Sequence, residues 1–327
     1  MKAILLADDA FKPEFLKADI SHTNDMERCS EILPDWIYRD KIYLMEYPMS
    51  SSGTKPEVKE AHLKSMSDGA FLGFYLGHGN LTQIAHEKAL ELQDINIFSN
   101  WRKTPFYYFG SCDVGYFERP GEICIGGSAN LYKDGGNIVS IAAGRATGYT
   151  SNGDLGKKIA AYLFDNSIPT AGDAFLLSMN NSAGHYTYTF FGDPGTPIFI
   201  DSVSIDVTIP DTAIGGRQFK VEGKVENHAD KIFCFITEAI YDTVLDATEG
   251  TGAYEPVNIK KEGRTLFKGS ASVVGDSFSL KANIPYDIKS DSGRISLYSK
   301  GEKESYLSSL ISVSYTHLRA HETVLDL

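Results

Sequence analysis

Through the first two hundred residues, short apolar runs alternate with longer stretches in which apolar positions recur every three or four residues. The runs are Ala3–Ala7, Lys41–Glu46, Phe71–Leu76, Phe106–Phe109 and Asn137–Ala142. Runs of this length, bounded by glycine, proline or polar clusters, predict buried strands. Thr23–Leu33, Lys55–Ser67 and Leu155–Asp165 predict helices between them. Strands alternating with helices imply an α/β domain with a largely parallel sheet. Phe190-Phe191-Gly192-Asp193-Pro194-Gly195-Thr196-Pro197 is dense in turn formers and closes that domain, which spans residues 1–200. From residue 201 the period changes to two. Val203–Ile209, Phe219–Val225 and Ser277–Ala282 alternate apolar and polar residues, and Val274-Gly275-Asp276-Ser277 is a tight hairpin signal. Residues 201–312 therefore read as an all-β immunoglobulin-like sandwich. No internal repeat and no low-complexity linker separates the two.

Two of the apolar runs stop on reactive residues. The run through Leu76-Gly77 ends at His78-Gly79, and the run through Phe109-Gly110 ends at Ser111-Cys112. In an open parallel sheet, chemistry gathers at the carboxyl ends of the strands. A histidine and a cysteine are thus expected at one sheet edge, with room for one crossover helix between them. A thiolate nucleophile and its general base need that arrangement. Gly79 has no side chain, so its N–H can face the site and join the Cys112 N–H in an oxyanion hole. Asp8 and Asp9 end the first strand at the same edge, and either could orient the histidine.

Composition narrows the classes. A net charge of −12 and a pI of about 5.1 argue against a nucleic-acid partner or an anionic membrane surface. Apolar runs are strand-length, so no transmembrane helix is expected. The apolar core behind Met1 is too short for a signal peptide and reads as a strand. The cysteines are Cys29, Cys112, Cys124 and Cys234, and no pair has metal-ligand spacing. Cys29, Cys124 and Cys234 lie in apolar settings and read as core residues. Cys112 differs, because polar Asp113 and Gly115 follow it.

On these motifs the chain resembles the gingipain family of cysteine peptidases, which join a caspase-like domain to an immunoglobulin-like one. Tyr75-Leu76-Gly77-His78-Gly79 matches the family's catalytic histidine motif, and Ser111-Cys112-Asp113-Val114-Gly115 its nucleophile motif. Glu122, expected in the helix after the nucleophile, Gly144-Arg145, Asn152 and Phe191-Gly192-Asp193-Pro194 extend the match. The resemblance implies that Cys112 attacks the substrate, that His78 is its base and that Asp9 orients the histidine. Asp19-Ile20-Ser21-His22 resembles a stretch whose aspartate lines a pocket for a basic residue, so Asp19, His22 and Ser111 are expected substrate contacts. The bland alternative, that Asp19 and His22 simply cap the following helix, is the more ordinary one. Where family members carry a tryptophan after the histidine motif, this chain has Ile84.

Leu266–Val273, Phe278-Ser279-Leu280, Ile284–Ile288 and Gly293–Tyr298 are similar to the second domain of the PorU-type sortase branch of that family, as is the Ala7-Asp8-Asp9 start. That likeness implies a polypeptide substrate, namely C-terminal sorting domains of secreted cargo in type IX secretion. It also implies outer-membrane secretion components as partners and a place at the surface of a Bacteroidota-like bacterium. The alternatives are a free secreted protease preferring Arg or Lys, and a non-catalytic docking module. No cofactor is required. Calcium is implied by the family, but no ligand cluster is visible in the sequence. Val313–Thr323 can be written in codons that spell a transposase-type sequencing adaptor read in frame, so residues 313–327 are set aside as an artefact. On that reading His317 and His321 are not ligands, and the natural chain continues beyond Ser312. A start directly on a strand suggests truncation at Met1 too.

Overall fold

In the computed structural model, residues 1–9, 16–179, 185–198, 205–225, 229–245, 256–301 and 309–316 are described, and side chains are not described for residues 16–21, 229, 300, 301 and 309–316. Two compact units form, one of residues 1–198 with 242–261, the other of residues 199–241 with 262–327.

The first unit contains β1 (Lys2–Ala7), α1 (Leu16–Ile32), β2 (Tyr38–Tyr43), α2 (Pro56–Asp68), β3 (Leu72–Leu76), β4 (Gln83–Ile84), β5 (Leu90–Glu91), β6 (Phe106–Gly110), α3 (Ile125–Leu131), β7 (Val139–Ala143), α4 (Tyr149–Leu163), α5 (Ala171–Ser178) and β8 (Tyr188–Phe191). Its sheet runs β2-β1-β3-β6-β7-β8, parallel except for the antiparallel last pair. All residues of β3, β6 and β7 are buried, as expected of central strands covered on both faces. One face packs Leu5, Phe74, Tyr108 and Ile141 with Leu155 and Ile159 of α4; the other packs Leu6, Tyr75, Phe109 and Ala142 with Val58 and Ile125.

The chain differs from expectation in several places. The strand expected at Lys41–Glu46 lies at Tyr38–Tyr43, because edge strand β2 is buried only at its Ile42–Tyr43 end and its polar start reads as loop. Helix α1 begins at Leu16, so Asp19 and His22 are interior helical residues and not caps. The helix expected at Leu155–Asp165 is α4 at Tyr149–Leu163, which starts earlier, through Ser151-Asn152-Gly153, residues of low helix propensity. Glu122 lies before α3, paired with Arg119 at 3.1 Å. No α-helix links β3 to β6. The β4–β5 ribbon and a 3-10 turn over Leu92–Ile97 make that crossover.

The hairpin of β13 (Tyr241–Leu245) and β14 (Val257–Lys261) supplies Leu245, Val257 and Ile259 to the core of the first unit, although sequence order places it in the second domain. The second unit holds β9 (Ile205–Thr208), β10 (Thr212–Ile214), β11 (Gln218–Val225), β12 (Ala229–Glu238), β15 (Thr265–Ser272), β16 (Ser277–Asn283), β17 (Ser292–Gly301) and β18 (Ser309–Thr316). Its sheets run β10-β18-β17-β12-β15 and β16-β11-β9. Val221, Cys234, Leu280, Ile295 and Leu297 fill its core. In β16 every second residue is buried, the alternation of a strand with one solvated face. An α/β sheet followed by a β-sandwich is the order that the hydrophobic pattern predicts. Val313–Thr316, set aside in the sequence, fall within β18, whose Val313 pairs with Gly293; residues 317–327 lie outside the described residues. Among the described residues no helix is long and apolar enough to cross a membrane.

Candidate active site

Register brings the strand ends together. Ala7 pairs with Leu76, Leu76 with Gly110, and Phe109 with Ala142. The residues that follow, Asp8-Asp9, Gly77-His78-Gly79, Ser111-Cys112 and Gly144-Arg145, therefore leave the sheet at one edge. The ladder continues one residue further, with Asp8 N donating to Leu76 O at 2.9 Å and Gly77 N to Gly110 O at 3.2 Å. A side chain on Gly77 would collide with Asp8 and the Tyr75 hydroxyl, so glycine is what lets these loops approach.

The His78 main chain is held on both sides. Its N–H donates to Asp8 Oδ2 at 2.8 Å. Its carbonyl accepts the Ala85 N–H at 2.9 Å and lies 2.6 Å from the Tyr75 hydroxyl. Tyr75 Oη also accepts the Ala85 N–H at 2.9 Å and sits 3.2 Å from Asp8 Oδ2. One hydroxyl carries one proton, and the shorter contact gives it to the His78 carbonyl. Burial, followed by the Asp8 and Glu87 charges, pushes the Tyr75 phenol well above its usual range, so it remains a donor.

Cys112 sits on a loop sewn to β7. Gly115 N donates to Ala143 O at 2.8 Å and Asp113 N to Arg145 O at 3.4 Å. Asp113 has φ +56°, a left-handed conformation that aspartate tolerates better than most residues. The sulfur is half-buried and accepts the Thr147 N–H at 3.3 Å. Arg145 stacks over the Tyr116 ring at 4.2 Å and pairs with Glu118 at 2.5 Å, fixing the turn beyond the cysteine. Below, Tyr108 donates to Asn152 O at 2.9 Å and Tyr188 to Asn152 Oδ1 at 2.8 Å, which pins the start of α4 to the sheet.

The two loops meet at Gly79. A Cβ there would stand 2.6 Å from Val114 Cγ2, 2.8 Å from Ser111 Oγ and 3.1 Å from Cys112 O. Gly79 bridges Ile84 as an antiparallel pair whose hydrogen bonds are made by its neighbours, Asn80 N to Gln83 O and Ala85 N to His78 O, both 2.9 Å. The Gly79 amide therefore stands outside that ladder. Ser111 is fully buried beneath Gly79, and its hydroxyl has no partner among the described residues.

Two further imidazoles flank His78. His22, buried on α1, meets its ring edge-on with centroids 5.6 Å apart, and exposed His86 lies at 4.9 Å. The sequence singles out His22 but not His86. Asp19 is in α1, and its side chain lies outside the described residues.

Asp9 is also at this edge. Its Oδ2 takes an ion pair from Lys55 Nζ at 2.5 Å, and both side chains are almost wholly buried. Lys55 donates a second bond to Leu44 O at 2.8 Å. Glu87 comes from the loop between β4 and β5, and its carboxylate joins those of Asp8 and Asp9. Burial first, then the two aspartate charges, push its carboxyl up to about 9. Neither Lys55 nor Glu87 carries a sequence signal, since each looks like an ordinary surface residue until the fold encloses it.

The remaining cysteines are core residues. Cys29, Cys124 and Cys234 are at most 3% exposed. Burial raises all three thiols, those of Cys29 and Cys234 to about 12. Iodoacetamide at neutral pH should therefore modify the folded chain at Cys112 alone, with Cys112→Ser removing the labelling; mass spectrometry of the digest reads the outcome. Lys55→Met should lower stability by about 3–5 kcal/mol, because it strands a buried carboxylate. Lys64→Met, which breaks an exposed pair with Asp68, should change it by less than about 1 kcal/mol. Urea melts of the two variants make that comparison.

The model of peptidase family C25 matches residues 1–199. No curated protein matches the chain. Among solved structures, a neelaredoxin-type superoxide reductase from Ignicoccus hospitalis is 12% identical, with 36% of this chain and 81% of that one covered and a TM-score of 0.22. CopC from Methylosinus trichosporium OB3b is 9% identical, with coverages of 36% and 98% and a TM-score of 0.22. A β-glucosidase from Listeria innocua is 10% identical over 96% of this chain and 46% of its own, with a TM-score of 0.23. Superpositions that poor carry no structural argument, whereas the family match spans the whole α/β sheet with its His78 and Cys112 loops. The chain belongs to peptidase family C25, the gingipain family of cysteine peptidases.

Proposed function

We propose that Cys112 and His78 form the catalytic dyad of a cysteine endopeptidase that works through an acyl-enzyme. The observation that carries this reading is the junction at Gly79, where the His78 loop lies against Ser111 and Cys112 while the only half-buried thiol receives a backbone N–H. His78 takes the Cys112 proton, and the thiolate attacks the scissile carbonyl carbon. The carbonyl oxygen becomes an oxyanion facing the Gly79 and Cys112 amides, neither of which has a backbone acceptor among the described residues. The imidazolium then protonates the leaving amine as the C–N bond breaks, leaving a thioester on Cys112. Water or an amine attacks the thioester, so hydrolysis and transfer to an amine share every earlier step.

Asp8 enters this scheme as a positioning residue through the His78 main chain. Asp9 is assigned the imidazole-orienting part by resemblance, and its Oδ2 also carries the Lys55 pair. His22 touches His78. The resemblance of Asp19-Ile20-Ser21-His22 to a pocket-lining stretch supports a basic P1 residue. The likeness of the second domain to the PorU-type branch supports C-terminal sorting signals of secreted cargo as the substrate, at the bacterial surface.

A fluorogenic peptide panel with Arg, Lys or a small residue at P1 tests the reading. Cys112→Ala should lose at least about a thousandfold in kcat/KM with an unchanged thermal melt. Retained cleavage by that variant would remove Cys112 from the mechanism, and preference for a small P1 residue would remove Asp19 from the pocket. Tyr75→Phe frees the His78 carbonyl from its hydroxyl donor, so kcat should fall about 10–100-fold with little change in KM, a loss expected when a catalytic group is mispositioned.

A further inference from the structure

His86 lies in the turn between β4 and β5, and the turn is built so that this residue faces outward. Ala85 and Glu87, on either side of it, are buried, whereas His86 is exposed. Ala85 and Lys88 bracket it at φ +59° and +62°. Left-handed backbone is costly for a residue with a Cβ, and such strain persists only where the surroundings impose it. Here they do. Ala85 N donates to His78 O at 2.9 Å, Gln83 Nε2 to Ala85 O at 3.0 Å, Lys55 N to Glu87 O at 3.1 Å and Ala89 N to Ile84 O at 3.1 Å.

The turn brings the His86 ring to 4.9 Å from the His78 ring, centre to centre. His22 meets the same ring from α1 and is buried, so His86 is the neighbour of His78 that solvent reaches. In the dyad mechanism proposed above, on which this reading rests, His78 passes its proton to the leaving amine. The departing part of the substrate therefore runs past His78, while the acyl part stays on Cys112. A side chain packed beside His78 in solvent meets the residue that follows the scissile bond. An imidazole keeps at least one N–H donor in either protonation state. The reaction also places a positive charge on His78 next to it. Both features favour a hydrogen-bond acceptor over an apolar group, and a carboxylate over an ammonium.

We propose that His86 is a specificity-determining residue that walls the subsite for P1′, the residue just after the scissile bond, and selects side chains that accept a hydrogen bond there. Carboxylates and carboxamides fit that description. The strained turn is what holds the ring in place, because its main chain is tied to the His78 carbonyl on one side and to the start of α2 on the other.

Internally quenched peptides test this on the full chain, with P1 held constant and Glu, Gln, Leu or Lys at P1′. In the wild type, kcat/KM for the Glu and Gln peptides should exceed that for Leu and Lys by about threefold or more. In His86→Ala the Gln-to-Leu ratio should fall to about one. In His86→Glu the Glu-to-Lys ratio should drop by about tenfold from its wild-type value. The same Glu and Lys exchange at P2, on the acyl side, should shift by less than about twofold. A wild type indifferent to P1′, P1′ ratios that both variants leave unchanged, or a P2 ratio that moves as far as the P1′ ratio would each overturn the assignment. Cys112→Ala reports separately on the dyad. Cleavage retained in that variant removes the dyad reading and this inference with it, whereas cleavage lost there with unchanged P1′ ratios removes His86 alone.

Discussion

Four parallel strands of nearly equal reach end side by side, and the chemistry of this chain depends on that alignment. Ala7, Leu76 and Gly110 are direct partners across three strands, and β7 continues the row. Parallel register is fixed by backbone hydrogen bonds and by which side chains must face the covering helices. A one-residue slip of β3 against β6 would turn Tyr75 away from the layer it shares with Phe109 and would part the Gly79 loop from Ser111. The positions of the His78 and Cys112 loops are thus set by burial of aromatic residues below them. Loop sequence only completes the arrangement.

Alignment alone does not hold a loop, and at His78 the remaining constraint is polar. Asp8 takes the amide and Tyr75 the carbonyl, so the residue is fixed by its main chain while its ring faces His22 and His86. The same buried carboxylate row then concentrates negative charge at the β1 end. Lys55, placed just before α2, answers part of it and joins that helix to the strand edge. A lysine buried this fully, pairing with an aspartate buried as fully, makes the edge sensitive to loss of either partner.

Much of this was legible in the sequence because strands buried on both faces announce themselves. β1, β3, β6 and β7 could be read to within two residues, and with them the strand-end motifs His78-Gly79 and Ser111-Cys112. What escaped was set by contacts distant in sequence. The crossover from β3 to β6 has helical length but folds as ribbon and turn, with Ala85 and Lys88 at φ +59° and +62°, and no local pattern marks such positions. The start of α4 was hidden because Ser151-Asn152-Gly153 are turn formers by propensity, and Asn152 is helical only because Tyr108 and Tyr188 claim its polar atoms. Asp9 was visible as a carboxylate at the right edge, but its partner Lys55 was not, since only the fold shows which lysine is buried. Glu87 and His86 were missed for the same reason.

The location of helix α4 also decides which backbone group meets the Cys112 sulfur. In many strand–turn–helix nucleophile sites the helix that follows the nucleophile directs its N-terminus at it. Here the next helix, α3, begins only at Ile125 and has seven residues, too short and too late to serve. Helix α4 has fifteen residues and begins at Tyr149, with Gly148 as its N-cap. Thr147, one residue before that cap, donates its N–H to the sulfur at 3.3 Å. The thiol is therefore contacted by the start of the helix after the next strand, the third element downstream in sequence, which follows β7, the sheet neighbour of β6. That explains the buried Tyr108–Asn152–Tyr188 network physically. It holds the first turn of α4 at the height of the sheet edge, and a helix start displaced from there would carry the Thr147 amide off the sulfur.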